Sequence, residues 1–371
     1  MILADVFENF RNICMKPAKK EIDPATRFTG RPQLRIIEDG NYELDPAHYV
    51  SAPHLSWDAM LKATRCKLEL ITDPAMFLMM DGQMRGGVCM ISKRFARANN
   101  KYMGKLYDPT HPTTYILYLD ANNLYGWAMS QPLPHSGFTW ITEDEWKGIN
   151  WRTLDEDSPV GYILEVDLQY PQELHELHND YPLAPERVDV QFEMVSSKQV
   201  EISRHYKRAR TQTNIKLLPN LMNKSKYCLH YLNLKFYLEH GMVLGKIHRV
   251  IRFNQSRWLA SYIDKNSRLR IAATNDFEKD FFKLMNNVIY GKTCENQRKR
   301  TDIRLVTDRK LAVKLACKPH CLDVRTFGEN VLGIQLKKVH LEINKPFYVG
   351  FSVLDLSKLH MYRYAVPLLL T

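Results

Sequence analysis

One stretch restricts the fold more than any other. Tyr115-Ile-Leu-Tyr-Leu is an uncharged apolar run that stops at Asp120 and turns through Asn122 and Asn123 before Leu124-Tyr125-Gly126. The run is rich in branched and aromatic residues and reads as a strand, so the chain is expected to build a sheet around it. A carboxylate at a strand end, beside a free backbone carbonyl, suits Mg²⁺. Phosphoryl and nucleotidyl transfer need such ligands. Taken alone, an Asp in this place more often caps the segment that follows.

With 371 residues, 45% of them hydrophobic, the chain can bury one large core or two ordinary ones. Lys and Arg number 52 against 41 Asp and Glu, and the net +11 favours a polyanionic partner, nucleic acid first. No apolar run approaches the roughly 18 residues of a spanning helix, and Asp5 and Glu8 stand where a signal peptide would be basic and then apolar. Neither membrane spanning nor secretion is expected. Seven scattered cysteines fit reduced thiols, hence an intracellular setting, the nucleus if the source is eukaryotic.

The charge is unevenly spread. From Glu143 to Asp189 there are thirteen acidic residues and three basic ones, a stretch that should avoid phosphate. Lys198, Arg204, Lys207, Arg208, Arg210, Lys216, Lys224 and Lys226 then stand against a single Glu201, interleaved with Tyr206, Tyr227 and Tyr231. This is the expected footprint for a nucleic-acid backbone. A solvated basic helix face is the equal alternative.

Helical spacing marks Lys226 to His240 and Asp276 to Glu295, the latter with acidic Asp276 and Glu278 in its first turn and a stripe of Phe277, Phe281, Leu284, Met285, Val288 and Ile289. Besides Tyr115 to Leu119, strands are expected at Gly161 to Leu168, Arg304 to Val306 and Val331 to Leu336, with another candidate at Phe347 to Val353. Helices and strands segregate rather than alternate, which predicts an α+β fold. Lys16 to Gly40 has no clear period and reads as a loop or insert.

On the later helix, Lys279, Lys283, Asn287 and Tyr290 are four, four and three residues apart and share one face. Two ammonium groups there could grip a triphosphate, while Asn287, Tyr290 and small Gly291 could line a slot for a base pair. A plain solvent face is the competing reading.

Together these motifs resemble those of protein-primed family-B DNA polymerases, most closely the polymerases of Polinton/Maverick-type transposable elements. Asp120 to Gly126 is similar to that family's motif A, Asp-x-x-Ser-Leu-Tyr-Pro, and Lys283 to Gly291 resembles motif B, Lys-x-x-x-Asn-Ser-x-Tyr-Gly. The resemblance implies a right-hand polymerase palm and fingers. It makes Asp120 a catalytic metal ligand with the Ala121 carbonyl beside it, one half of a two-metal Mg²⁺ site. Tyr125 becomes the aromatic under the incoming sugar that excludes a ribose 2′-hydroxyl. Lys279 and Lys283 would bind the dNTP triphosphate, and Asn287, Tyr290 and Gly291 would line the nascent base-pair pocket. Met84-Arg85-Gly86-Gly87 is similar to the family's Tyr-x-Gly-Gly template-binding turn. It places Arg85, Gly86 and Gly87 on primer-template DNA; the basic run adds Lys207, Arg208 and Arg210 as expected DNA contacts. Met84, Asn123, Gly126 and Val288 depart from the family's Tyr, Ser, Pro and Ser.

No Asp-x-Asp resembling motif C follows Gly291, and Asp355 is a lone acid. The expected division is therefore 1–75, the close of an exonuclease domain with a possible insert at 16–40; 76–140, palm with motif A; 141–197, an inserted subdomain of the kind that holds a terminal protein primer; 198–300, fingers with motif B; and 301–371, part of the returning palm, cut before motif C and the thumb. Leu3 to Glu8 resembles the end of the third exonuclease motif, without its metal-binding Asp. The expectation is a polymerase fragment that transfers nucleotides from dNTP to a primer hydroxyl, weakly or not at all. An inactive nucleic-acid-binding remnant of a mobile element is the alternative. Cys317, His320 and Cys321 fit no common zinc spacing, and Asp155, Glu156 and Asp157 read as solvated loop charge.

Overall fold

Two long strands carry the architecture. Their inward positions are apolar and their partners sit far away in sequence, so tertiary pairing rather than local turns sets the register. The structure is a computed structural model and describes residues 44–45, 48–49, 51–88, 90, 95–205, 215–296, 301–338 and 343–369. Lys207, Arg208, Arg210 and the segment from Lys16 to Gly40 lie outside them.

In chain order the helices are α1 (Ala52–Thr64), α2 (Pro74–Asp81), α3 (Leu124–Met129), α4 (Glu143–Lys147), α5 (Leu174–Leu177), α6 (Ser197–His205), α7 (Tyr231–Glu239), α8 (Ala260–Ala272), α9 (Asp276–Thr293), α10 (Arg309–Ala316) and α11 (Phe347–Leu369). The strands are β1 (Leu133–Trp140), β2 (Val160–Gln169), β3 (Glu186–Asp189), β4 (Ile215–Leu218), β5 (Lys224–His230), β6 (Val243–Ser256), β7 (Asp302–Val306), β8 (Cys321–Gly328) and β9 (Val331–Leu336). The fold is α+β, as expected.

The main sheet is antiparallel in the order β1-β6-β2-β5, with Ile163 opposite both Ile251 and His230. α7 and α11 pack against this sheet, and α1, α8 and α9 pack on one another. The short helix α3 contacts α8, α9 and α11, so the segment just after Asp120 is held where the two groups meet. One continuous core runs through both, including Leu55, Met60, Met129, Leu164, Phe253 and Phe351.

Strands β7, β9 and β8 form a separate sheet with α10 over it, around a core of Val306, Ala312, Leu315, Ile334 and Leu336.

Four expectations are corrected. Residues 115–119 are not in a strand: Thr114 makes one isolated bridge with Asn99, and the five side chains beyond it are 57–93% exposed. A strand exists only when paired, and no described strand pairs with this one. Phe347 to Val353 opens α11 rather than a strand, because this helix is buried on nearly every side and its apolar run hides the helical period. The first third of the helix expected from Lys226 is β5, where burial of Tyr227 through His230 against β2 overrides helical spacing. Finally, β5 and β6, expected within 198–300, pair with β2, expected within 141–197, so one sheet spans that boundary; α1, expected within 1–75, packs on α8 and α9.

Candidate nucleotide and nucleic-acid site

Asparagine starts the helix that carries motif B. Asn275 caps α9 by accepting from Glu278 N at 2.9 Å, and Asp276 and Glu278 complement the positive helix end. Phe281, Phe282, Met285 and Ile289 turn inward and leave Lys279, Lys283 and Asn287 exposed on the opposite face. Polar pins lock α9 to its neighbours: Asn266 Nδ2 donates to Asn286 Oδ1 at 3.0 Å, and Tyr262 OH lies 3.3 Å from Ser56 O and 3.4 Å from Met285 O. These groups are buried, so satisfying them fixes the relative placement of the helices.

Between α8, α9 and the turn after Asp120 lies a cleft of about 260 Å³. Asn123, Ser267, Arg270, Ile271, Lys279, Lys283 and Asn286 line it. Three cations thus converge on one small opening, with Lys279 held 3.3 Å from Asp276. Arg270 and Asn123 were not singled out for this site in the sequence. Arg270 comes from α8, and only the packing of α8 on α9 brings it to the two lysines.

The turn itself is shaped by two of the motif A departures acting together. Asn123 adopts φ +53°, a left-handed conformation that Asn tolerates, and a Cβ at position 126 would lie 2.1 Å from its Nδ2. Gly126 therefore leaves the space that the Asn123 side chain fills. Asp120 and Asn123 are exposed, and Ala121 is half-buried.

Behind this turn, the Tyr125 and Tyr290 rings stack with centroids 4.4 Å apart and planes 9° apart. Burial raises the Tyr290 phenol, and the neighbouring Cys294 and Tyr125 act in the same direction. Beyond Tyr290 a second cavity of about 420 Å³ opens, with Met84, Gly86, Arg187, Cys294 and Phe347 in its wall. Gly86, Gly87 and Gly291 are all exposed, and a Cβ at any of them would meet nothing within 4 Å. The chain's own packing does not demand glycine there.

Arg85 is the exception among the expected contacts. Its side chain is buried, with the guanidinium 3.6 Å over the Tyr227 ring and Nη1 donating to Cys228 O at 2.8 Å. The expectation that it meets DNA is corrected, since a stacked and hydrogen-bonded guanidinium has no face left for phosphate. Its backbone carbonyl accepts from Lys358 Nζ at 2.9 Å, and Lys358 pairs with Asp355 at 3.3 Å. Burial lowers the Lys358 ammonium, opposed by Asp355. The lone acid Asp355 is thus a structural anchor: its Oδ2 also accepts from His230 N at 2.9 Å. This buried network ties the Gly86–Gly87 turn to α11.

A metal at this site would rely on Asp120. Among the described residues no three His, Cys, Asp or Glu side chains gather around a common point. One exposed carboxylate beside a cationic cleft fits a single Mg²⁺ completed by phosphate oxygens and water, the usual manner of holding that ion with nucleotides.

Residues 84–362 match the family described as DNA polymerase type B, organellar and viral. The chain belongs to that family. Its fold is similar to Phi29 DNA polymerase in the orthorhombic crystal form, at 13% identity and a TM-score of 0.50. It is equally similar to Phi29 DNA polymerase complexed with primer-template DNA and incoming nucleotide substrates, at 14% identity and a TM-score of 0.50. Each comparison covers 98% of this chain and 56% of the other, so the chain spans little more than half the length of these polymerases. At such identity the likeness concerns the fold. No curated protein matches the chain.

Proposed function

We propose that this type B polymerase chain binds primer-template DNA and a dNTP and serves nucleotidyl transfer to a primer hydroxyl. The observation that carries the reading is the cleft in which Arg270, Lys279 and Lys283 converge beside the Asp120 turn. Three cations suit a triphosphate, and the adjoining Tyr125–Tyr290 stack suits a sugar and a base. In this reading Arg270, Lys279 and Lys283 hold the phosphates, Asn123 supports them from the turn, and Tyr125 blocks a 2′-hydroxyl. Asn287, Tyr290 and Gly291 line the base-pair slot. Gly86 and Gly87 leave open space in which the template backbone approaches closely. Mg²⁺ held by Asp120 and the phosphates would offset charge that develops on the leaving pyrophosphate. With one carboxylate in place, binding should outlast turnover, and slow or absent polymerisation is part of the proposal.

The Polinton/Maverick branch, protein priming and a terminal protein partner for the acidic stretch from Glu143 to Asp189 belong to the same reading. They are supported by the motif pattern and by that stretch's charge. In the alternative, an inactive remnant keeps only its basic surface.

Fluorescence anisotropy of labelled primed DNA, with and without dNTP and Mg²⁺, tests the proposal in the wild type and in a Lys279→Ala, Lys283→Ala double variant. Stabilisation by dNTP in the wild type alone is the expected result. Equal DNA binding by both proteins with no dNTP effect overturns it and favours the remnant.

A further inference from the structure

Two successive carbonyls of the Met84–Gly87 turn are each held by a cation from a different element. Arg187 of β3 donates from Nη2 to Met84 O at 2.7 Å, and Lys358 of α11 donates from Nζ to Arg85 O at 2.9 Å. The support behind Arg187 is firm. Its neighbour Glu186 pairs at 2.8 Å with the buried Lys224 Nζ, and Tyr227, whose ring carries the Arg85 guanidinium, donates from its hydroxyl to Pro185 O at 2.9 Å. In a planar trans peptide the C=O of one residue and the N–H of the next point in opposite directions. Fixing Met84 O on Arg187 therefore turns the Arg85 N–H away from that guanidinium, and fixing Arg85 O on Lys358 turns the Gly86 N–H away from that ammonium. Among the described residues no group accepts from the N–H of Arg85, Gly86 or Gly87. A Cβ at Gly86 or Gly87 would meet nothing within 4 Å, and Gly86, Arg187 and Tyr290 share the wall of the second cavity. Consecutive unpartnered N–H groups on a turn make a concave site for an anion.

We propose that Arg187 is a positioning residue for template DNA: it holds Met84 O so that the amides of the Gly86–Gly87 turn face outward and take a backbone phosphate of the template strand. The inference rests on the DNA-binding reading above and adds how the turn is aimed. Arg187 is one of the three basic residues in the acidic stretch from Glu143 to Asp189, where a direct phosphate contact is not expected. It acts through the backbone, because its Nη2 is committed to a carbonyl. Without that bond Met84 O is released, the Arg85 N–H rotates with it, and a carbonyl that swings toward a phosphate repels it. None of these groups lines the cleft of Arg270, Lys279 and Lys283, so binding of the dNTP phosphates is a separate matter.

The test is anisotropy of labelled primed DNA with the wild type and Arg187→Ala across a KCl series, using template strands that carry one uncharged methylphosphonate linkage at successive positions. Arg187 is exposed, so its truncation leaves the core intact. The variant is expected to bind about tenfold more weakly, the lower end of what a hydrogen bond to a charged group provides. The slope of log affinity against log salt should stay at the wild-type value, because amides carry no net charge with which to release counterions. One methylphosphonate position should cost the wild type about tenfold and the variant nothing, while every other position costs both proteins alike. A slope shallower by about 0.7–0.9 in the variant means that Arg187 itself neutralises a phosphate, and overturns the inference. Unchanged affinity overturns it too, as does a loss in the variant that leaves the methylphosphonate penalties of the two proteins equal at every position, the pattern of a merely weakened fold. If the wild type does not bind primed DNA, the DNA-binding reading fails and this inference falls with it.

Discussion

His230 should make this protein lose stability on mild acidification, before its carboxylates begin to titrate. The side chain is fully buried between α7, α11 and the main sheet, its Nε2 has no hydrogen-bond partner, and burial pushes its pKa from 6.5 down to about 4. Asp355, which accepts from the His230 backbone N–H, opposes the shift without cancelling it. The folded value lies below the unfolded one, so the unfolded chain takes up the proton first. The stability is fully present above the unfolded pKa and is lost as pH falls toward the folded one. From those two values the loss is about 2 kcal/mol at about pH 5 and about 3 kcal/mol at about pH 4, levelling off below. Ordinary carboxylates have unfolded values near 4, so little of the loss at about pH 5 comes from them. His230→Asn keeps an acceptor for Leu232 N and removes the titration. Urea unfolding at about pH 7.5, 6 and 5 should show a shallower decline in the variant by about 2 kcal/mol. His178, also buried and shifted downward, contributes equally to both proteins and drops out of the comparison. Identical slopes in wild type and variant would refute the reasoning.

Other perturbations separate the parts of the molecule. Asp355→Asn leaves the Lys358 ammonium buried without its partner, and a loss of about 3–5 kcal/mol is expected in urea unfolding; a loss below about 1 kcal/mol would mean the pair is solvated. Arg270→Ala should weaken dATP binding to primed DNA complexes without changing DNA affinity, since its cleft takes the phosphates of the nucleotide; calorimetric titration reads both. Tyr125→Val should narrow the preference for dATP over ATP by on the order of tenfold, measured in the same way. Ile334→Ala, costing about 2–5 kcal/mol within a core of five buried residues, should expose the β7-β9-β8 unit to limited proteolysis while dATP binding persists.

Local pattern made the α9 helix legible almost to the residue, because Asp276 through Ile289 carries both a capped start and a one-sided apolar stripe. Strands expected at 161–168, 304–306 and 331–336 are found at 160–169, 302–306 and 331–336. The strands β1, β6 and β8 were not foreseen, and three further segments were misread, each for a reason outside itself. The run from Tyr115 has strand composition without a described partner strand. The run from Phe347 is a helix so thoroughly buried that it shows no polar face. The start of the Lys226 segment has helical spacing but is drawn into the sheet by β2.

The site divides along the same line. Asp120, Tyr125, Lys279, Lys283 and Tyr290 could be named from the sequence, since motif spacing is a local property of the chain and survives without knowledge of its neighbours. Their company could not. Arg270 joins the lysines only because α8 packs on α9, Arg85 is withdrawn from DNA only because Tyr227 lies beneath its guanidinium, and Asp355 becomes an anchor only where Lys358 and His230 meet it. Charge, composition and motif identity belong to the sequence by itself. Which charges face a ligand and which are buried was decided by tertiary packing, because desolvation and stacking depend on which elements lie against one another, as where Tyr227 meets Arg85 and His230 meets Asp355 from more than a hundred positions away.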